Sequence, residues 1–337
     1  MKVLFTGMAS SHCKKPDNVT FFSALSDVVS EFAEVIWDSP KLSWTEEDLN
    51  KFDLIVFGLT PPTALSANKI YGAMHVLGLM FHSPKLRLVV DSSQVWQYKN
   101  SIESVKRDVS TLFSKFYSKR YDYRRAQSEE SRKYIDLAAS YMGSEAWPKI
   151  YYPELPWSTK HKVQKSLGFG SLKNMIGINL DSFLLLPEPR GAAERPSLWS
   201  VTTTKGSWYR TVEQSLRATP LDLSKNSSKD DGTTLSAIRS SLGLIVPPQE
   251  RTTGTWWSYR YIQGMNSNTP IVTLWQDSQK LGKDWAYLAY QIEDMSINKR
   301  VAIAQNQLEL YRTAIPTKDE IVDLLKNDMV DSNKERI

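Results

Sequence analysis

The run Arg87-Leu88-Val89-Val90-Asp91-Ser92-Ser93 places one carboxylate, Asp91, directly behind an apolar stretch, with small hydroxyl side chains after it. A carboxylate in that position can act as a general base, taking the proton from a hydroxyl as its oxygen attacks. The same residue can instead cap the following turn through its side chain. A second constellation, WWSYRYIQGMNSNTPIV over 256–272, holds Arg260 and Gln263 three residues apart, on nearly one face of a helix. A guanidinium there suits a phosphate through paired hydrogen bonds, and an amide suits ribose hydroxyls. An amphipathic helix with an ordinary surface Arg and Gln fits equally well. Upstream, TTTKGS over 202–207 leads into a segment carrying Arg210. Hydroxyls, backbone N–H groups and the cations Lys205 and Arg210 at a helix start make a diphosphate cradle, or an ordinary turn with exposed cations. The spacing is not that of a P-loop, which needs Gly-x4-Gly-Lys-Ser/Thr.

Between Lys99 and Arg125 there are eight basic residues and three acids, interleaved with Phe113, Phe116, Tyr117, Tyr121 and Tyr123. Such a segment can track nucleic-acid phosphates, the contacts coming from Lys106, Lys115, Lys119, Arg120, Arg124 and Arg125 in some subset. It also fits an amphipathic helix with an inward aromatic stripe and a solvated basic face. The pair Asp230-Asp231 follows Lys229 in a polar stretch and reads as solvated.

These residues need elements to hold them, and the chain alternates short apolar runs with helical periodicity, the pattern of a parallel sheet covered by helices. VLFTG (3–7), EVIWD (34–38), LIVFG (54–58) and LRLVVD (86–91) read as strands, KIYYPEL (149–155) as another. Phe22, Leu25, Val29 and Phe32 mark a helix over 19–33, and Ile70, Met74, Leu77 and Phe81 mark a second. The rhythm resumes with SLWSVTT, a helix over 209–216, the strand LGLIVPP (242–248), a helix over 257–265 and the strand TPIVTLW (269–275). A polar, glycine-containing passage and the proline-bracketed LPEPRGAAERP put the connection between two domains within about 157–196. Ligands of open α/β sheets bind beyond the carboxyl ends of the strands, which is where Asp91 and Thr202–Ser207 would fall.

The chain has 337 residues, enough for two ordinary domains. It is 41% hydrophobic and 23% charged, the composition of a folded soluble protein. No run approaches the roughly 20 apolar residues of a membrane span, and the amino terminus has no leader-like cleavage pattern. These features predict no membrane partner and a cytoplasmic location, the host cytoplasm if the chain is phage-encoded. The lone Cys13 agrees with a reducing compartment, and His12, His75, His82 and His161 lack metal-ligand spacing. The net charge of +5 permits an anionic partner without requiring one.

The chain resembles the two-domain GT-B glycosyltransferases, and among them the phage enzymes that decorate 5-hydroxymethylcytosine in DNA, the T-even β-glucosyltransferase and phage arabinosyltransferases included. The resemblance rests on SANK (66–69) opening a helix, on Asp91 with Trp96 five residues on, and on YRYIQGMNSNTPIV. It implies an α/β, GT-B architecture of two Rossmann-like domains with an interdomain cleft. The expected divisions are an acceptor (DNA) domain over 1–165, a nucleotide-sugar donor domain over 166–305, and a helical tail over 306–337 that crosses back. It implies Asp91 as catalytic base, and Lys205, Arg210, Arg260 and Gln263 as donor contacts. Lys205 replaces an expected Arg, and Gln263 replaces an expected Glu. The reaction implied is inverting transfer of glucose or arabinose from a UDP-sugar to 5-hydroxymethylcytosine in double-stranded DNA, by a monomer. No cofactor is obligatory; a divalent metal is permitted and not required. A GT-B enzyme acting on a glycan or small molecule, and a non-catalytic DNA-binding α/β protein, are the competing expectations.

Overall fold

A computed structural model of the chain describes residues 1–7, 21–58, 67–89, 133–134, 137, 147–154, 174–189, 198–201, 221–222, 231–245, 259–273 and 287–334. The chain divides into two compact units, one of Met1–Glu154, Lys160–Leu180 and Lys318–Ile337, the other of Leu155–Thr159 and Asp181–Thr317.

In the first unit β1 (Lys2–Gly7), α1 (Phe21–Ser30), β2 (Glu34–Trp37), α2 (Glu46–Asn50), β3 (Leu54–Gly58), α3 (Ala67–Met80), β4 (Leu86–Val89), β5 (Lys149–Pro153) and β6 (Met175–Ile178) follow in order. The strands form one sheet in the order β2-β1-β3-β4-β5-β6, every pairing parallel. All five residues of β3 and all four of β4 are buried, as a parallel sheet covered on both faces requires. Phe5, Phe22 and Trp37 meet with ring centroids 5.3–5.4 Å apart and fix α1 against β1 and β2. Thr45 and Asp48 close a capping box at the start of α2. In α3, a Cβ on Gly72 would fall against the carbonyl of Pro40, so only glycine lets the helix lie this close to the loop after β2.

The second unit holds α4 (Asp181–Leu184), β7 (Leu198–Val201), β8 (Leu221–Asp222), α5 (Asp231–Arg239), β9 (Ser241–Ile245), α6 (Tyr259–Asn266), β10 (Ile271–Thr273), β11 (Tyr287–Leu288), α7 (Ala289–Ile292) and α8 (Ile297–Ala314). Its sheet runs β8-β7-β9-β10-β11, again wholly parallel. Counted from each unit's first strand, both sheets follow the order 2-1-3-4-5, the first extended by one strand. Each sheet is compatible with a Rossmann-like α/β fold. After α8, Pro316 stops the helix, and α9 (Lys318–Lys334) belongs to the first unit.

Among the described residues, strands and helices lie near the positions read from the apolar runs; the helix expected over 209–216 lies outside them. Two elements differ. Met175–Ile178 is a strand of the first sheet, so the first unit continues to Leu180, beyond the expected division at 165/166. The polar stretch around Asp231 begins α5, where a solvated loop was expected; Ile238 on its last turn is buried and holds it to the sheet.

Candidate functional site

The carboxyl edge of the second sheet is assembled from β7, β9 and β10 and from the helices that begin above it. The strand order reverses between β7 and β9, and ligands of open parallel sheets bind at such a point. Helix α6 follows β9 and returns to the amino end of β10, so its first turn, with Arg260, lies at this carboxyl edge.

Several features hold α6 in place. Ile262 and Met265 are buried, and Gly264 has no Cβ where one would stand 2.6 Å from Ile271 Cδ1 and 3.0 Å from Leu244 Cδ2. The helix therefore presses onto β9 and β10. It ends in a turn in which the N–H groups of Ser267 and Thr269 both donate to the carbonyl of Gly264, at 3.1 and 3.0 Å. Asn268 takes a left-handed φ of 51° there, which its short amide tolerates better than most side chains. Asn266 accepts from the Leu186 N–H at 2.8 Å and donates to the Leu184 carbonyl at 3.0 Å, tying the helix to the segment after α4. Thr269 Oγ1 donates to the carbonyl of Ile238 at 2.9 Å, joining the same turn to α5.

Helix α8 lies beside α6 and runs down the sheet in the same sense. Its buried stripe is Arg300, Ala304, Gln307, Leu308 and Tyr311. Gln307 Nε2 donates to the Ile271 carbonyl and its Oε1 accepts from the Ile271 N–H, both at 2.8 Å. Lower on the stripe, Tyr311 donates to the Asp181 carboxylate. The stripe thus descends from the carboxyl edge to the amino end of β10.

Of the donor contacts expected from the sequence, Arg260 is the second residue of α6. Gln263, one turn below, is buried with 1% of its surface exposed and is engaged within the protein. Lys205 and Arg210 lie outside the described residues. In the first unit β4 ends at Val89, and Asp91, two residues on in sequence, lies outside the described residues. So do Lys106, Lys115, Lys119, Arg120, Arg124 and Arg125.

The sequence reading missed a charged cluster in the first unit. Arg87, 2% exposed within β4, donates through Nε to Asp328 Oδ2 at 2.7 Å; Lys149 reaches Oδ1 at 2.7 Å and Tyr151 reaches Oδ2 at 2.6 Å. Burial pushes the Asp328 carboxyl up, but the Arg87 charge and the bonds from Lys149, Tyr151 and Arg87 outweigh it and hold the carboxyl below its ordinary value. Burial, with the Asp328 charge second, drives the Tyr151 hydroxyl well above its ordinary value. Arg87 and Lys149 are register partners at the amino ends of β4 and β5. The cluster therefore anchors α9 to the sheet. An arginine inside LRLVV was the available signal; its partner 241 residues away was not visible.

Among the described residues, no group of three or more His, Cys, Asp or Glu side chains could hold a metal ion, and no helix is long and apolar enough to cross a membrane. Compared with known proteins, no family model matches the chain and no curated protein matches it significantly.

Proposed function

We propose that the protein is a GT-B glycosyltransferase that moves a sugar, glucose or arabinose, from a UDP-sugar to the hydroxymethyl group of 5-hydroxymethylcytosine in DNA. The observation that carries this reading is the matched winding of the two parallel sheets, with α6 and Arg260 starting at the carboxyl edge of the second. A helix amino terminus with a guanidinium in its first turn suits a diphosphate. The end of β4 just before Asp91 supports the acceptor side, because functional groups in open α/β sheets follow strand carboxyl ends.

In this mechanism Asp91 accepts the proton of the hydroxymethyl oxygen as that oxygen forms a bond to the anomeric carbon. A base is needed because a primary hydroxyl is a weak nucleophile near neutral pH. The bond from the anomeric carbon to the diphosphate oxygen breaks from the opposite side, giving inversion and releasing UDP. Lys205, Arg210 and Arg260 meet the charge that grows on the leaving group. Gln263 is buried, so its amide serves ribose hydroxyls only if the nucleoside reaches into the edge beside α6. In duplex DNA the base leaves the stack before its hydroxymethyl group is accessible, and the basic segment from Lys106 to Arg125 holds the backbone.

The test is the intact mass of a hydroxymethylated duplex incubated with the protein and UDP-glucose or UDP-arabinose. The expected result is a mass gain of one sugar per modified base. Asp91→Asn is expected to lose turnover, with UDP binding kept; wild-type turnover by this variant would remove Asp91 from the mechanism.

A further inference from the structure

The buried stripe of α8 carries three polar side chains, and two of them are satisfied. Gln307 is paired at both ends with Ile271, and Tyr311 with Asp181. Arg300 is the exception. It is 7% exposed, and among the described residues neither Nε nor Nη1 has a hydrogen-bond partner. Nearly all buried polar groups in folded proteins are satisfied, and a guanidinium held from water without an acceptor is costly. Burial accordingly pulls the Arg300 pKa below its ordinary value.

The position of this open cation is informative. Arg300 stands one turn after Ser296, whose hydroxyl caps the amino terminus of the 18-residue α8 by accepting from the Lys299 N–H. Long side chains on a helix lean toward its amino terminus, here back toward the capped turn. Gln307 fixes the height: it pairs with the first residue of β10, so Arg300, seven residues earlier on the same stripe, lies roughly 10 Å nearer the carboxyl edge. On the neighbouring α6, Arg260 is four residues before Gly264, which packs on the same Ile271, and so lies roughly 6 Å toward that edge from this contact. Two adjacent helices thus present their positive ends, each with an arginine in or next to its first turn, at one edge of one sheet.

We propose that Arg300 is a further anion-binding residue of the second unit, taking a phosphoryl oxygen of a nucleoside diphosphate beside Arg260. This inference rests on the donor-site reading above for the nucleoside, but not for the anion. The ligand supplies the acceptor that the described residues do not give Nε and Nη1, and the buried guanidinium, which cannot deprotonate near neutral pH, keeps its full charge for it.

The experiment compares wild type, Arg300→Gln and Arg300→Met by calorimetric titration with UDP and with inorganic pyrophosphate, and by thermal unfolding without ligand. Pyrophosphate and UDP are expected to bind wild type and to bind both variants about ten- to hundredfold more weakly, as for loss of a charged hydrogen bond. Without ligand, Arg300→Met is expected to raise Tm, because it removes an unpaired buried charge. Pyrophosphate binding that depends on Arg300 while UDP fails to bind would uphold the anion site and remove the nucleotide-donor reading. UDP binding unchanged in both variants would overturn the role of Arg300 and leave that reading standing. A lower Tm for Arg300→Met without ligand would also overturn it, by showing the guanidinium paired within the fold.

Discussion

Asp328 is held by three side chains from two strands, and each donates to a carboxylate that is 7% exposed. Removing one member of such a buried set leaves charge without a partner. Asp328→Ala should destabilise the first unit by about 3–5 kcal/mol in chemical denaturation. The double variant Arg87→Met/Asp328→Leu should recover part of that loss, since neither charge then remains buried. The same carboxyl gives a pH dependence of definite sign. Its folded pKa is lowered from the ordinary 3.8, so the stabilisation is fully present above about pH 4 and is lost as pH falls through the folded value. Wild type should therefore lose more Tm than Asp328→Ala between pH 6 and pH 3; equal losses would assign the acid sensitivity elsewhere. None of this was legible in the sequence. The oddity of Arg87 among Leu86, Leu88 and Val89 could be seen, but a pairing with Asp328 is a property of the folded chain.

At the scale of elements, strands buried on both faces announce themselves as apolar runs, and β1 and β3 were readable for that reason, β4 despite the Arg87 that interrupts it. β6 was not. Its MIGI is short, contains Gly177 and sits in a passage whose glycine and polar residues read as a linker. Nor was α5, whose polar composition hides that the sheet beneath Ile238 stabilises it. Likewise, α8 carries a buried stripe of mixed polarity, and periodicity in apolar residues understates its packing. Gln307 does for β10 what a neighbouring strand would do, satisfying both the N–H and the carbonyl of Ile271. Gln307→Leu should leave both groups buried and unpaired, destabilising by about 1–3 kcal/mol. Amide exchange at Ile271 and Val272 should accelerate in this variant, while exchange across β1 and β3 stays unchanged.

For the whole molecule, the two sheets share one winding order, and the chain passes from the second unit back to the first after Thr317. That return lets α9 bury Ile321, Leu325 and Met329 and deliver Asp328 to Arg87. Ending the chain at residue 317 should cost each of those side chains about 1.5–3 kcal/mol of burial and leave Arg87 without its carboxylate. The expected outcome is loss of the first unit's cooperative unfolding transition; an unchanged transition would show that α9 contributes little. The parallel α/β character was legible from the apolar rhythm, while the candidate site was legible only as residue types beside strand ends. Transfer to DNA is the claim on which the functional account depends. Nucleoside mass spectrometry tests it most directly, after incubating the protein with UDP-sugars and duplexes containing either 5-hydroxymethylcytosine or cytosine. The account predicts a glycosylated 5-hydroxymethylcytidine from the first duplex and unaltered nucleosides from the second. No sugar on the hydroxymethylated duplex with any donor, or equal transfer to plain cytosine, would contradict it.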